Sequence, residues 1–192
     1  MKAICLIRFD DYESAEAILN QLLTDDAGNC ARYYYSLGRI QKQQGQFEAA
    51  IELFQLALYK RPRYLSPHRE MADCYIHMGD FEAARASIVS AKDIDDSNIY
   101  VILLVAQLLQ KEGYAAESIK LLFGQSLLEQ SADQILFRTG RAYDQLGQTA
   151  DACECYTQAL KWNPRMYDAK LCLLNHEIID NPEKAPGIIS EL

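Results

Sequence analysis

Large and small side chains return along this chain at a fixed interval. Phe54, Ile88, Leu122 and Tyr156 stand 34 residues apart, and four residues before each lies a small one: Ala50, Ala84, Ser118 and Ala152. A second small series, Gly38, Ala72, Ala106 and Gly140, precedes by seven residues a series of glycines, Gly45, Gly79, Gly113 and Gly147. Small residues at two places let a pair of helices approach closely, and the glycine between them permits the positive φ that a short helix-to-helix turn needs. The large residues then fill the gaps between neighbouring helices. The pattern predicts one helical hairpin, repeated. Ala57, Ala91, Gln125 and Ala159 continue the register, and Pro62 and Pro164 close two of the units.

Local signals are read in the same frame. Ser66-Pro67 reads as an N-cap followed by proline at the first helical position, and Ser131 with Gln134 as a capping box. Tyr12, Ala15, Leu19 and Leu22 repeat Phe47, Ala50, Phe54 and Ala57 with a shift of 35, so residues 12 to 24 are the second helix of an earlier unit whose first helix, residues 1 to 9, looks truncated. Residues 167 to 179 form one more first-type helix with Leu171, Leu174 and Ile178 on one face. Gly124 falls inside a second helix, where it costs about 1 kcal/mol relative to alanine, and a kink or looser turn is expected there.

The residues Leu37-Gly38, Gly45, Ala50, Phe54, Ala57 and Pro62 resemble the signature of the tetratricopeptide repeat family, and Gly140, Tyr143, Gly147, Ala152, Tyr156, Ala159 and Pro164 match it nearly as well. The resemblance implies an all-α fold, a right-handed α-solenoid of antiparallel helix pairs. It sets a single domain over residues 1–192: a partial repeat over 1–30, full repeats over 31–64, 65–98, 99–132 and 133–166, a capping helix over 167–180 and a tail over 181–192.

Composition narrows the function. The chain of 192 residues is 49% hydrophobic, enough for a core without disulfides or metals. Its net charge of −8 argues against a nucleic-acid partner, because phosphate binding depends on clustered Lys and Arg. Six scattered cysteines suit reduced thiols and a cytoplasmic setting. The apolar run from Ala3 to Ile7 is too short to cross a bilayer, so no membrane partner is expected. Phosphate-binding loops, dinucleotide fingerprints and nucleophile elbows are missing from the sequence, and the reading is no enzyme and no cofactor. Cys153 and Cys155 lie about 200° apart around a helix and cannot chelate one ion, while Asp73 and His77 lack a third ligand. No metal site is expected, and His68 and His176 have no evident partner.

What remains is binding. The resemblance implies that the first helix of each unit lines a concave groove. In the first full unit this selects Arg32, Tyr35, Arg39 and Lys42; in the second, Arg69, Asp73 and His77. The third offers Tyr100, Leu103, Leu104 and Gln107, and the fourth Phe137, Arg138 and Arg141. Over all the groove positions seven residues are basic and three acidic, a reversal of sign on an acidic chain. Such a surface favours an acidic-apolar segment of a protein or peptide partner, with Tyr35, Tyr100, Leu103, Leu104 and Phe137 as apolar anchors. Self-association into a homodimer through the solenoid ends is the alternative.

Overall fold

A computed structural model describes residues 11–25, 27–124 and 131–180. Among these residues every regular element is helical: α1 (Tyr12–Asp25), a 3₁₀ turn (Ala27–Asn29), α2 (Cys30–Gln43), α3 (Phe47–Lys60), α4 (Leu65–Met78), α5 (Phe81–Lys92), α6 (Ile99–Lys111), α7 (Ala115–Phe123), α8 (Ala132–Gln145), α9 (Thr149–Trp162) and α10 (Tyr167–Asp180). The chain is thus an all-α helical repeat. Gly45, Gly79, Gly113 and Gly147 all adopt positive φ, between 71° and 89°, at the turns that join α2 to α3, α4 to α5, α6 to α7 and α8 to α9. A β-carbon at these four sites would meet no atom within 4 Å, so backbone conformation and not crowding is what calls for glycine there.

The chain divides into two compact units with the boundary between Leu104 and Val105, inside α6. In the first unit α1 packs on α2, α2 on α3, α3 on α4 and α4 on α5. Ala15, Leu19, Leu37 and Ile40 form one core cluster, and Ala50, Ile51, Phe54, Met71 and Cys74 another. Phe54 is fully buried against the bare backbone of Gly38, where a β-carbon would sit 2.6 Å from its ring. Burying such a ring contributes about 1.5–3 kcal/mol, available only because the facing residue has no side chain.

The second unit repeats the device. Here α7 packs on α8, α8 on α9 and α9 on α10. Tyr156 fills the place of Phe54, Gly140 that of Gly38, and the cluster of Ala152, Tyr156 and Ala169 is flanked by Phe137, Tyr143 and Leu173. Ser118, polar where the other units carry alanine, is fully buried and accepts a 2.9 Å hydrogen bond from Gln110 Nε2. A buried hydroxyl without such a partner would cost about 1–3 kcal/mol.

Helix boundaries differ from expectation in several places. Helix α4 starts at Leu65 with Tyr64 as its N-cap, so Ser66 is not the cap. Pro67 is still tolerated, because it sits in the first turn where amide hydrogens have no intrahelical acceptor. Ser131 is the N-cap of α8 yet makes no side-chain capping bond, so the capping box does not form. Side chains do cap elsewhere: Asp80 accepts from the Ala83 amide at 3.0 Å, and Asp11 accepts from the Ser14 amide at 3.2 Å. At Gly124 the second helix of the third unit ends: α7 spans 9 residues where α3 and α9 span 14. On α10 the packed face is Ala169, Cys172 and Leu173, while Leu171 is exposed. The truncated helix expected over residues 1 to 9, the register position at Gln125 and the tail over 181–192 lie outside the described residues.

Candidate functional site

The first-helix positions separate into those offered to solvent and those used inside the fold. In the first unit, Arg32 and Arg39 are exposed on α2 with Tyr35 between them. The Tyr35 ring leans on Phe54 at 5.9 Å and on Tyr64 at 5.3 Å, which fixes it in place. Burial, and then the charge of Glu70, hold its hydroxyl above the usual tyrosine range, so it stays protonated and points toward Glu70 Oε1 at 3.5 Å. Arg69, on α4, lies flat over the Tyr100 ring of α6 at 4.5 Å. Stacking of this kind orders a guanidinium while leaving hydrogen-bond donors at its edge. Among the described residues Arg32, Arg39 and Arg69 form no ion pair, and the Arg69 Nε is buried without a hydrogen-bond partner.

Lys42 is different. Its ammonium lies 2.5 Å from Glu70 Oε2 and 2.6 Å from Asp73 Oδ2, with all three side chains about four-fifths covered. Burial works against the charge, but Glu70 and Asp73 outweigh it and raise the Lys42 pKa. Asp73 also lies 3.6 Å from His77 Nδ1, and the His77 ring stacks on Phe47 at 5.3 Å. Lys42, Asp73 and His77 therefore tie α2, α3 and α4 together instead of facing outward as a charge set. Leu103 and Leu104, expected as groove anchors, and Gln107, expected at a groove position, are all buried in the fold.

In the second unit Arg141 is exposed and makes no ion pair among the described residues, whereas Arg138 is half-buried and engaged. Phe137 packs on Tyr156 at 5.8 Å. The Tyr156 hydroxyl donates to Asp144 Oδ2 at 2.5 Å, and His176 Nε2 lies 2.8 Å from Asp144 Oδ1. His176 thus has a partner the sequence did not reveal, contributed from α10. Burial, and then the bond to Asp144, raise the Tyr156 pKa, so the phenol is a permanent donor at neutral pH.

One rule links these contacts. At three of the four turns the residue three before the glycine reaches forward to the next first-type helix: Lys42 to Glu70 and Asp73, Gln110 to the Arg138 carbonyl at 2.8 Å, Asp144 to His176; at the remaining turn it is the buried Ile76. That position holds the repeat together and is poorly placed to serve a partner. Sequence reading missed Lys60, Arg61 and Tyr64 beside this face, because the first-helix register does not sample the end of a second helix.

Among the described residues no cluster of three or more His, Cys, Asp or Glu is placed to hold a metal, and no helix is long and apolar enough to cross a membrane. Cys74, Cys155 and Cys172 are free thiols.

Models of the tetratricopeptide repeat match residues 1–64, 42–108 and 134–166. No curated protein matches the sequence. Among solved structures, a thermophilic tetratricopeptide repeat protein from Thermus thermophilus is similar with a TM-score of 0.78 at 18% identity, covering 90% of this chain and 94% of that one. A tetratricopeptide repeat protein from Parabacteroides merdae gives 0.69 at 14% identity, over 99% and 75%. YrrB, described as having an unusual peptide-binding site, gives 0.58 at 16% identity, over 91% and 88%. At these identities the likeness is one of fold.

Proposed function

The chain belongs to the tetratricopeptide repeat family, and from that premise we propose that it is a non-catalytic adaptor module that grips an acidic-apolar segment of a partner polypeptide. Repeats of this family generally mediate protein–protein interaction, and YrrB, a relative in fold, has a peptide-binding site. In this reading the four full repeats over 31–64, 65–98, 99–132 and 133–166 each present a first helix to the partner, and the free thiols suit a reducing, cytoplasmic compartment.

The observation that carries the proposal lies within the first unit. Arg32, Arg39 and Arg69 project beside the rings of Tyr35, Tyr64 and Tyr100 without ion pairs of their own among the described residues. The exposed Arg32 and Arg39 and the half-buried Arg69, interleaved with ordered aromatic rings, supply donors for carboxylates and flat apolar area for side chains, the combination that concentrates binding energy. In the second unit, taken by itself, Arg141 on α8 is exposed and makes no ion pair among the described residues.

Selection of random peptides displayed against the intact chain tests this. The recovered sequences should be enriched in Asp or Glu beside apolar residues, and Arg39→Glu or Arg141→Glu should deplete them. Enrichment that ignores both substitutions removes the basis for the proposal. Exposed Trp162, Tyr167 and Leu171 in the second unit favour one alternative, self-association. A scattering mass that stays monomeric across a concentration series would exclude it.

A further inference from the structure

Beside the proposed peptide face, residues 28–32, which lead into α2, and residues 60–64, which leave α3, enclose a cleft of about 400 Å³. Among the described residues its charged lining is all of one sign: Arg32, Lys60 and Arg61. None of the three makes an ion pair among the described residues, although the chain carries 27 acidic residues and a net charge of −8. Three like charges around one hollow repel one another unless something negative sits between them.

The cleft is also ordered. The Arg61 guanidinium lies over the Tyr64 ring at 5.1 Å, and that ring rests on Tyr35 at 5.3 Å, which the core residue Phe54 supports in turn. Stacking uses the face of Arg61 and leaves its N–H edge for a ligand. Burial holds the Tyr64 hydroxyl above the ordinary range, while Arg32, Arg61 and Arg39 pull it down. The hydroxyl remains protonated and able to donate, and those same arginines mark the positive potential around it. Lys and Arg side chains only donate, so the lining is rich in donors, and no carboxylate lies among its described residues.

We propose that this cleft is an oxyanion-binding site that receives closely spaced negative oxygens, a phosphorylated side chain or neighbouring carboxylates, from the partner peptide. The volume exceeds what a single ion needs and suits a side chain with its flanking backbone. The assignment deepens the peptide-binding reading and rests on it for the identity of the donor. The cleft adds Lys60, Arg61 and Tyr64, which lie outside the first-helix positions and would fix where along the face an acidic residue docks.

Two-dimensional NMR of the full-length chain, titrated in one arm with inorganic phosphate and in another with a triglutamate peptide, tests the site. Amide signals of residues 30–32, 60, 61, 63 and 64 should shift together and saturate. Tighter binding of phosphate identifies a phosphorylated side chain as the source, and tighter binding of triglutamate identifies carboxylates. Lys60→Gln combined with Arg61→Gln should weaken the tighter probe by about tenfold or more, as loss of charge-assisted bonds implies. Arg32→Gln attacks the cleft from the opposite wall, so the result does not hang on one variant, and circular dichroism checks that each remains helical. Shifts that fail to saturate, shifts centred on exposed cations elsewhere such as Lys92 and Arg165, or binding unchanged in both variants would overturn the site. Peptide selection that still responds to Arg39→Glu while phosphate gives no saturation removes the cleft alone. Saturable phosphate binding with unselective peptide recovery removes the peptide face alone.

Discussion

Gly140→Ala puts the small-against-large packing to a quantitative test. The new β-carbon would lie 2.6, 2.9 and 3.0 Å from three atoms of the Tyr156 ring. That ring is fully buried, anchored by its 2.5 Å bond to Asp144, and flanked by Phe137 and His176, so it cannot swing aside. Alanine gains about 1 kcal/mol of helix propensity over glycine. Overpacking costs about 1–3 kcal/mol, and a clash with a pinned ring belongs at the upper end. The net expectation is a loss of about 2 kcal/mol. With a urea slope of about 2 kcal/mol/M, the midpoint falls by roughly 1 M. Urea titration followed by circular dichroism and by Trp162, the one tryptophan of the chain, reads the change in the second unit. In a Tyr156→Leu background the ring is gone, and the same alanine should become neutral or stabilising, a coupling that a double-mutant cycle isolates. A Gly140→Ala protein as stable as the parent, or more stable, would show that propensity governs this position and that the ring contact does not.

Three further outcomes follow from the polar contacts and thiols. Lys42→Ala removes the ammonium that the largely covered Glu70 and Asp73 share and should cost about 1–2 kcal/mol, read by urea titration; an unchanged midpoint would refute the tie between α2 and α4. Because the Lys42 pKa is raised on folding, the parent holds this contribution in full below the ordinary lysine range and loses it as pH climbs through the higher folded value, whereas Lys42→Ala shows no such alkaline loss. Asp144→Ala strands the Tyr156 hydroxyl and frees His176, so amide exchange in α10 should accelerate by an order of magnitude or more, as expected for about 1–3 kcal/mol, and equal protection would contradict that role. Burial pushes the Cys74 thiol up to about 12, so iodoacetamide at pH 7.5 should spare it in the native protein and modify it after denaturation, with mass spectrometry of the peptides as the check.

The helical hairpins were legible because their cause is local and periodic. A glycine that must take positive φ and a small residue facing a large one leave their mark at every recurrence, and Gly38 against Phe54 and Gly140 against Tyr156 are where that mark becomes a contact. Helix ends were less legible. Ser66-Pro67 and Ser131 carry side chains that cap helices elsewhere, but the chain enters α4 and α8 at geometries that leave those hydroxyls unused. Leu171 illustrates another limit: periodicity alone did not choose the packed face of α10, and Ala169, Cys172 and Leu173 won it by fitting around Tyr156.

Sequence alone determined the repeating unit and the all-helical class, since both follow from residue type at a fixed spacing, and it set basic side chains along the first helices. Only the tertiary structure decided which of those charges are left for a partner. Lys42, Asp73 and Asp144 satisfy one another or a neighbouring helix across separations of 28 to 32 residues, while Arg32 and Arg39 do not. An ion pair depends on a distance of a few ångströms between side chains on different helices, and no one-dimensional spacing encodes that distance until the helices have packed.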